Sequence, residues 1–282
     1  MKTIKILLSV LCCNTFVLGS LVCDVPANKP AAKVETAQKK IENNALDNLS
    51  EPAQAILTGK FEPSKNSGFA KIPDEYSTRS GQYLNKRALE AFIEMSQAAR
   101  KDGIELYILS ATRNFNAQKS IWEGKFNGTR KTEGKNLKNE IKNELERARF
   151  ILRFSSMPGT SRHHWGTDFD ISFDQKNTSG MLTNSKYESG PGLKVFEWLQ
   201  KNSAQFGFCL PYLGKPEQRR SGFNAGYQQE KWHWSYKPLS ARYLRDFENH
   251  LEKLQPSGFD GDDSGKVLFK DYVLNVNPEC LL

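Results

Sequence analysis

The sequence predicts an α+β fold with a small, mainly antiparallel sheet. Two observations favour this fold class. Segments with helical periodicity and short strand-like segments both occur in the 282 residues, but they do not alternate in the strand-helix-strand order of a parallel sheet. Hydrophobic residues make up 38% of the chain and aromatic residues 11%, which is enough for a full core in one or two domains.

The first predicted helix spans residues 82–102 and is followed by a strand. Gly103 lies where a helix commonly ends with a left-handed residue, and GIELYILSA, residues 103–111, has the apolar run of a buried strand. The helix is indicated by apolar residues at helical spacing, namely Ala88, Leu89, Phe92, Ile93, Met95 and Ala99.

A second amphipathic helix, a turn and a strand are predicted in the middle of the chain. The turn at Met157, Pro158 and Gly159 ends this helix, and DFDISF, residues 168–173, follows as a short strand. The apolar positions of the helix are Ile141, Leu145, Ala148, Ile151 and Leu152.

Two helices flank another strand in the last part of the chain. KWHWSY, residues 231–236, alternates as a strand does. The helix before it ends near Gly207, and the helix after it begins at Pro238, since proline is common in the first turn. Their apolar positions are Leu193, Phe196 and Leu199 in the first helix and Leu244, Phe247, Leu251 and Leu254 in the second.

The N-terminal residues predict export. Residues 1–22 combine two lysines with an apolar run of roughly 15 residues, as in a secretory signal peptide. Lipid modification of Cys23, which would attach the chain to a membrane, is an alternative to plain cleavage. Residues 23–55 are polar and predict a tether, and residues 56–282 form the predicted compact domain with a C-terminal tail. We therefore expect an exported protein of the periplasm or cell envelope.

The charge and the cysteines bear on the partners of an exported chain. The formal net charge of +8 falls to about +6 without the two leader lysines, and it is spread along the chain. This pattern favours anionic wall polymers or membrane surfaces over nucleic acid, although a solvated basic face is the simpler interpretation. Beyond Cys23 the chain has Cys209 and Cys280, and a disulfide or two buried thiols are both consistent with the sequence.

Coordinating side chains concentrate in SRHHWGTDFDIS, residues 161–172. In a strand, Asp168 and Asp170 point to one face, while Phe169 and Ile171 point to the other. Two carboxylates on one face indicate a nearby cation or hydrogen-bond donor. A solvated polar edge is also consistent with them.

His163 and His233 can share a site with these carboxylates if the chain turns. His163 lies seven residues before Asp170, an odd separation, and Gly166 is the expected turning point. In KWHWSY the two tryptophans share one face, which leaves His233 on the other. Two histidines, one carboxylate and an open position are typical of a catalytic zinc site, whereas a chance cluster of surface polar residues is the alternative.

Glu230 is the candidate base beside such a metal. It precedes His233 by three residues, so on a regular strand it would face away, and we expect it at a turn just before the strand. An exposed loop glutamate is the alternative. The sequence contains no HExxH, which excludes the helical histidine pair of the commonest zinc proteases. Together, Glu230 and His233 favour a metal site over a chance cluster.

Two motifs in these segments resemble those of the VanY-type D-alanyl-D-alanine carboxypeptidases. Ser161, His163, Gly166 and Asp170 match SxHxxG followed by aspartate. The segment EKWH, residues 230–233, matches the second motif, ExWH. Matches of two separate motifs are more specific than either motif alone.

A third segment agrees with the resemblance. SATRNFNAQ, residues 110–118, is similar to the SxxR segment with its downstream glutamine, here Arg113 and Gln118. The order and separation of the three motifs agree over residues 56–254. One position departs from the pattern, because the family usually has alanine where this chain has Asp168.

The resemblance implies a fold, a cofactor and a set of roles. The fold is that of lysostaphin-type peptidases and the hedgehog signalling domain, in which a small antiparallel sheet carries zinc and helices pack around it. One Zn²⁺ per chain is implied, with Glu230 as acid and base and Arg113 binding the carbonyl oxygen or terminal carboxylate of the substrate. The implied residues are, for the metal, His163, Asp170 and His233; for catalysis, Glu230 and Arg113; and for substrate binding, Arg113, Gln118 and Ser161.

The implied reaction removes the terminal D-alanine from peptidoglycan stem peptides. Two alternatives remain. An endopeptidase could use the same metal site to cut an internal cross-link, which an open groove would favour. A wall-binding or signalling module could keep zinc without hydrolysis, but a purely structural metal needs no base such as Glu230.

Neighbouring residues have separate predicted roles. His164 is adjacent to His163 in an extended segment, so it faces away and is not a ligand. Asp168 shares a face with Asp170 and is predicted to orient a ligand histidine.

Overall fold

A four-stranded antiparallel sheet lies at the centre of the part of the chain that the structure describes. The computed structural model describes residues 49–215, 220–223 and 225–281. Its strands are β1 Phe69–Lys71, β2 Tyr83–Asn85, β3 Tyr107–Ser110, β4 Asp168–Ser172, β5 Phe208–Cys209 and β6 His233–Tyr236. The central sheet has the order β3-β4-β6-β5, and β1 pairs with β2 separately. The antiparallel pairing throughout both sheets confirms the predicted α+β fold.

Helices surround the central sheet. They are α1 Glu51–Thr58, α2 Lys86–Lys101, α3 Phe115–Phe126, α4 Leu137–Glu140, α5 Glu144–Ile151, α6 Gly190–Asn202, α7 Lys237–Asn249 and α8 Asp262–Leu274. Within the described ranges, none of the helices combines the length and apolar character needed to span a membrane. The predicted signal peptide, Cys23 and most of the predicted tether lie outside the described residues.

The first predicted helix is shorter than its predicted range. Residues 83–85 pair with β1 as strand β2, so α2 begins at Lys86 and not at residue 82. The Asn85 side chain accepts a hydrogen bond from the backbone N–H of Arg87 and caps the helix there. Gly103 has a φ of 74° just after the helix, as the sequence predicted.

Other element boundaries also differ from the predictions. Apolar spacing over residues 141–152 predicted one helix, but Asn143 caps a new helix, α5, with its side chain. Helix α7 ends at Asn249, so Leu251 and Leu254 lie beyond it. Helix α1 begins at Glu51, before the predicted domain start at residue 56.

The predicted C-terminal tail is part of the core. Helix α8 was not predicted, and it contributes Leu268, Phe269, Tyr272, Val273 and Leu274 to a buried cluster. A disulfide joins Cys209 on β5 to Cys280, which decides between the two alternatives that the sequence left open. The bond links positions 71 residues apart, and such a cross-link stabilises a fold mainly by restricting the unfolded chain.

Two hydrophobic clusters enclose the central sheet. One packs Phe169, Ile171 and Trp234 of the sheet against α2 and α6. The other joins α3, α5, α7 and α8. Because side chains alternate along a strand, Asp168 and Asp170 point away from the first cluster, as predicted. Every residue of β4 is buried, so these two carboxylates do not form a solvated edge.

Candidate active site

Strand pairing brings the predicted metal ligands together. Asp170 on β4 is the direct partner of His233 on β6. His163 lies in a short 3-10 turn just before Gly166, which has a φ of 68° and turns the chain into β4. A Cβ atom at position 166 would collide with the Phe69 ring, so the turn requires glycine.

Three side chains have the spacing of metal ligands. His163 Nε2 and His233 Nδ1 each lie 3.5 Å from the same atom, Asp170 Oδ1. Ligand atoms around a tetrahedral zinc with bonds of about 2.0–2.1 Å are about 3.3–3.4 Å apart, so these two distances suit this ion, and all three ligand atoms lie within 4.8 Å of one another. Asp170 Oδ1 is buried and has no hydrogen-bond partner among the described residues, as expected of an atom that binds a cation. These residues therefore fit zinc.

Each histidine is held so that one ring nitrogen faces Asp170. His163 Nδ1 lies 2.9 Å from the carbonyl oxygen of Ala111 and can donate to it, which leaves Nε2 for a metal. His233 Nε2 lies 3.0 Å from Asp168 Oδ1, which leaves Nδ1. Partners of this kind fix the tautomer and the ring orientation of metal-binding histidines.

Asp168 is the centre of a buried polar network. Its Oδ1 accepts hydrogen bonds from His233 and, at 2.9 Å, from Arg162 Nε, while its Oδ2 accepts from Thr167 Oγ1 at 2.6 Å. Arg162 also donates to Ser235 Oγ at 2.6 Å. Burial opposes ionisation of Asp168, but the Arg162 guanidinium and the hydrogen bonds outweigh it and lower the pKa of Asp168. Asp168 is thus positioned to orient His233, and Arg162 is a cation beside Asp168, one of the two kinds of partner that the carboxylates indicated.

The centre of the site favours a positive charge. Burial, with a further contribution from Arg113, lowers the pKa of His163. Burial also opposes protonation of His233, but hydrogen bonds from its ring to Asp168 and Glu230 outweigh this and raise the pKa of His233 to about 9. The carboxylates of Asp170 and Glu230 thus favour a positive charge beside His233 Nδ1, which is where a metal ion would bind.

Glu230 lies at the turn before β6, as predicted. Its side chain is buried, and Oε2 lies 3.2 Å from His233 Nδ1. The backbone N–H of His233 donates to the Glu230 carbonyl at 3.1 Å and closes the turn. Burial raises the pKa of Glu230, although the neighbouring His233 acts in the opposite sense. A buried carboxylate with a raised pKa beside a metal position is suited to accept and donate a proton.

Arg113 is held through its backbone by the two adjacent histidines. Its N–H donates to the His163 carbonyl at 3.2 Å, and its own carbonyl accepts from His164 Nδ1 at 2.6 Å. His164 Nε2 accepts from the backbone N–H of Gly159 at 3.1 Å. Burial lowers the pKa of His164 to about 3, so its ring is neutral. His164 therefore packs away from the metal residues, as its position beside His163 predicted.

A cavity of about 170 Å³ opens onto the metal residues and is lined by Arg113 and Gln118. Gln118 Nε2 donates to the carbonyl of Ser156 at 2.7 Å. Arg113 Nε and Gln118 Oε1 are buried without hydrogen-bond partners in the described parts of the chain. Ser161 is fully buried and is not among the lining residues, and its carbonyl accepts from the His164 N–H instead. Substrate binding by Ser161 stays a prediction.

Sequence reasoning missed several residues that line or support the site. Arg162 lies between Ser161 and His163, at a position for which the SxHxxG motif specifies no residue type. Lys125 lies seven residues after Gln118, and that spacing on one helix could have indicated it. Tyr212 packs edge-on against the His233 ring with centroids 4.9 Å apart, and nothing in its local sequence indicates this contact.

Known proteins are similar to the part of the chain that contains this site. The family model described as "D-alanyl-D-alanine carboxypeptidase", VanY, matches residues 81–239. YodJ of Bacillus subtilis (strain 168) is 29% identical over 205 residues, which cover 71% of this chain and 63% of YodJ. The D-alanyl-D-alanine carboxypeptidase of Enterococcus faecalis (strain ATCC 700802 / V583) is 27% identical over 175 residues, covering 60% of this chain and 56% of that protein. The chain thus spans less than two thirds of the length of both relatives.

A solved structure is also similar. The LdcB LD-carboxypeptidase has 23% sequence identity and a TM-score of 0.44, over 72% of this chain and 87% of that chain. The family match covers more than half of the 282 residues and includes the metal trio, Glu230 and Arg113. On that evidence, the chain belongs to the VanY family of D-alanyl-D-alanine carboxypeptidases.

Proposed function

We propose that the protein is a zinc-dependent D,D-carboxypeptidase that removes the terminal D-alanine from peptidoglycan stem peptides. One observation carries the proposal. Two histidines and a carboxylate with metal-ligand spacing lie beside Glu230 and Arg113 at a single cavity. Membership of the VanY family supports the same reaction class.

Each residue of the site has a separate role in the proposed reaction. A bound zinc ion would supply Lewis-acid activation of water and of the scissile carbonyl. Glu230 would take a proton from the attacking water and pass it to the leaving amine, and its raised pKa suits both transfers. Arg113, whose Nε has no partner in the described residues, would hydrogen-bond the developing oxyanion or the substrate carboxylate.

Gln118 has a narrower role than the resemblance implied. Its Nε2 is already bound to the Ser156 carbonyl, and its unpartnered atom, Oε1, is an acceptor. An acceptor suits a substrate N–H and repels a carboxylate. We therefore assign Gln118 to a backbone amide of the substrate.

Export to the periplasm or cell envelope is part of the proposal. The predicted signal peptide at residues 1–22 supports it. The disulfide between Cys209 and Cys280 also supports it, because such bonds persist in oxidising compartments. Lipid attachment at Cys23 stays a prediction.

Mass spectrometry of purified muropeptides after incubation with the protein tests the function. We expect loss of one alanine from pentapeptides, inhibition by a chelator and recovery on addition of zinc. Loss of D-alanine from tetrapeptides alone would indicate L,D-specificity, and cleavage of cross-linked dimers would indicate an endopeptidase. Absence of any product with zinc-loaded protein would favour a non-catalytic wall-binding module.

A further inference from the structure

Helix α3 extends one side of the cavity away from the metal residues. Arg113 lies just before the helix, and Gln118 and Lys125 on the helix both line the cavity. The two helical residues are seven positions apart, about two turns, so they share a face. The side chains of Gln118 and Lys125 reach neighbouring residues, Ser156 and Ser155. Lys125 is therefore a second cation beside Arg113 along the same cavity.

Lys125 lacks a counter-ion. Its Nζ donates to Ser155 Oγ at 2.5 Å, and no carboxylate lies within ion-pair distance of it in residues 49–215, 220–223 and 225–281. Burial, with a smaller contribution from Arg130, lowers the pKa of Lys125 to about 8, although the Glu230 carboxylate acts in the opposite sense from beyond ion-pair distance. The ammonium group is thus still mainly protonated at pH 7. A largely buried cation without a counter-ion is unfavourable, and a bound anion would relieve that cost.

The charges that line the cavity are unevenly distributed. The two carboxylates, Asp170 and Glu230, both lie at the metal residues. Lys125 and Arg130 also line the cavity, and neither forms an ion pair with a described residue. The terminal carboxylate of a substrate can pair with Arg113, which leaves the other two cations unmatched.

We propose that Lys125, together with Arg130, binds a carboxylate on a substrate residue that precedes the cut bond. This proposal rests on the carboxypeptidase function proposed above, in which a single residue follows the cut bond. The terminal alanine has a single carboxylate, which Arg113 can bind, so a second carboxylate bound by Lys125 and Arg130 belongs to a residue before that bond. The preferred substrate therefore carries an acidic residue before its two terminal alanines, rather than a neutral or basic one.

Two synthetic peptides test this preference. Acetyl-Glu-D-Ala-D-Ala and acetyl-Gln-D-Ala-D-Ala have the same size and differ by one negative charge. The zinc-loaded protein should cleave the glutamate peptide with a kcat/KM about 10–100-fold higher, as expected for a charge-assisted hydrogen bond. In Lys125→Met the ratio of the two kcat/KM values should fall to near one. Because both peptides are measured with the same variant, a general loss of activity cancels in the ratio.

Matched variants distinguish loss of the proposed anion site from a change in net charge and from a folding defect. Lys119 lies on the same helix but not at the cavity, and its Nζ donates to the Gly258 carbonyl at 2.7 Å, so Lys119→Met should keep the wild-type ratio. Lys125→Arg keeps the charge and should retain most of the preference. A ratio in Lys125→Met equal to that of the wild type, or a wild-type ratio near one, would overturn the proposal.

Binding measurements separate this proposal from the proposed function. The dissociation constants of the two peptides are measured by calorimetry with the same zinc-loaded proteins. Hydrolysis of neither peptide would count against the carboxypeptidase function alone. Tighter binding of the glutamate peptide by the wild type, lost in Lys125→Met, would then still support the anion site, and equal binding of the two peptides would refute it.

Discussion

Two parts of the cavity differ in how far the protein satisfies their polar groups. We name them by their residues: the metal floor is His163, Asp170 and His233, and the helical wall is Arg113, Gln118 and Lys125. On the floor, the second nitrogen of each histidine has an oxygen partner at 3.0 Å or less. On the wall, Arg113 Nε and Gln118 Oε1 have none among the described residues.

Among the described residues, the floor leaves Asp170 Oδ1 without a partner at the metal position, whereas the wall leaves a donor and an acceptor without partners toward the substrate. The floor is built on the paired strands β4 and β6 and on a turn that requires glycine, so its geometry is set by the backbone. Preorganised ligands with a supporting shell are what a metal site requires. The wall presents unsatisfied donors and acceptors, which discriminate between substrates because a wrong substrate leaves them unpaired.

Replacement of a residue of the metal floor should have the largest effect on zinc binding and on hydrolysis. Asp170→Ala removes the oxygen that both histidines face, so we expect the variant to lose most of its bound zinc and, with it, hydrolysis. His163→Ala and His233→Ala should behave alike. Metal analysis of the dialysed proteins measures the effect. Full zinc retention in His163→Ala would reverse its assignment as a ligand.

Glu230→Gln should leave the floor intact and slow the reaction. The glutamine keeps the size of the side chain but cannot accept the proton, so turnover should fall by about 10²–10⁴-fold, or roughly 3–5 kcal/mol of transition-state stabilisation. Zinc content should be retained and substrate affinity should change far less, because Arg113 remains. Turnover of a D-Ala-D-Ala peptide, zinc content and peptide binding are measured on both proteins. Unchanged turnover would place the base elsewhere, and lost zinc would make Glu230 a ligand.

Asp168→Ala should weaken zinc binding at the metal floor without abolishing it. The substitution frees His233 Nε2, so zinc affinity should fall by about 10–100-fold, as for other residues that orient metal ligands. It also leaves Arg162 buried without its carboxylate, which should destabilise the fold by about 3–5 kcal/mol. Competition with a calibrated chelator measures the affinity, and denaturant unfolding measures the stability.

A double variant separates these two effects of Asp168. In Asp168→Ala with Arg162→Met both buried charges are gone, so much of the stability should return while zinc affinity stays low. Recovery of zinc affinity along with stability would show that Asp168 acts through the fold alone. Complete loss of zinc in the single variant would instead make Asp168 a ligand.

The floor could be predicted from the sequence because the pattern around His163 and Asp170 is local and the family resemblance added the distant His233. Alternation along β4 fixed the faces of Asp168 and Asp170, and a turn was required at Gly166 whatever the rest of the fold. Arg162 escaped notice because its contact with Asp168 depends on how that turn folds back onto the strand. A cation or hydrogen-bond donor near the two carboxylates was predicted, but its identity was not.

The wall and the element boundaries depend on contacts between distant segments. Spacing along α3 could have indicated that Lys125 shares a face with Gln118, but its contact with Ser155 depends on how α3 packs against a distant segment. Helix α2 begins late because residues 83–85 pair with β1, and this pairing overrides their position in an apolar repeat. The core position of α8 likewise arises from its packing against other helices, so the same residues could be taken for a tail.

His164→Ala should have the smallest effect on zinc binding at the metal floor. It should instead affect Arg113 on the helical wall. Zinc content should remain at the wild-type level, in contrast to His163→Ala, the matched variant one residue away. The buried Arg113 carbonyl and Gly159 N–H lose their partner, which should cost about 1–3 kcal/mol of stability for each group left unsatisfied. Because Arg113 is then less firmly held, kcat/KM should fall by about tenfold, less than in Glu230→Gln. Zinc analysis, unfolding and peptide kinetics on the two variants decide this, and loss of zinc from His164→Ala would show that floor and wall are not independent.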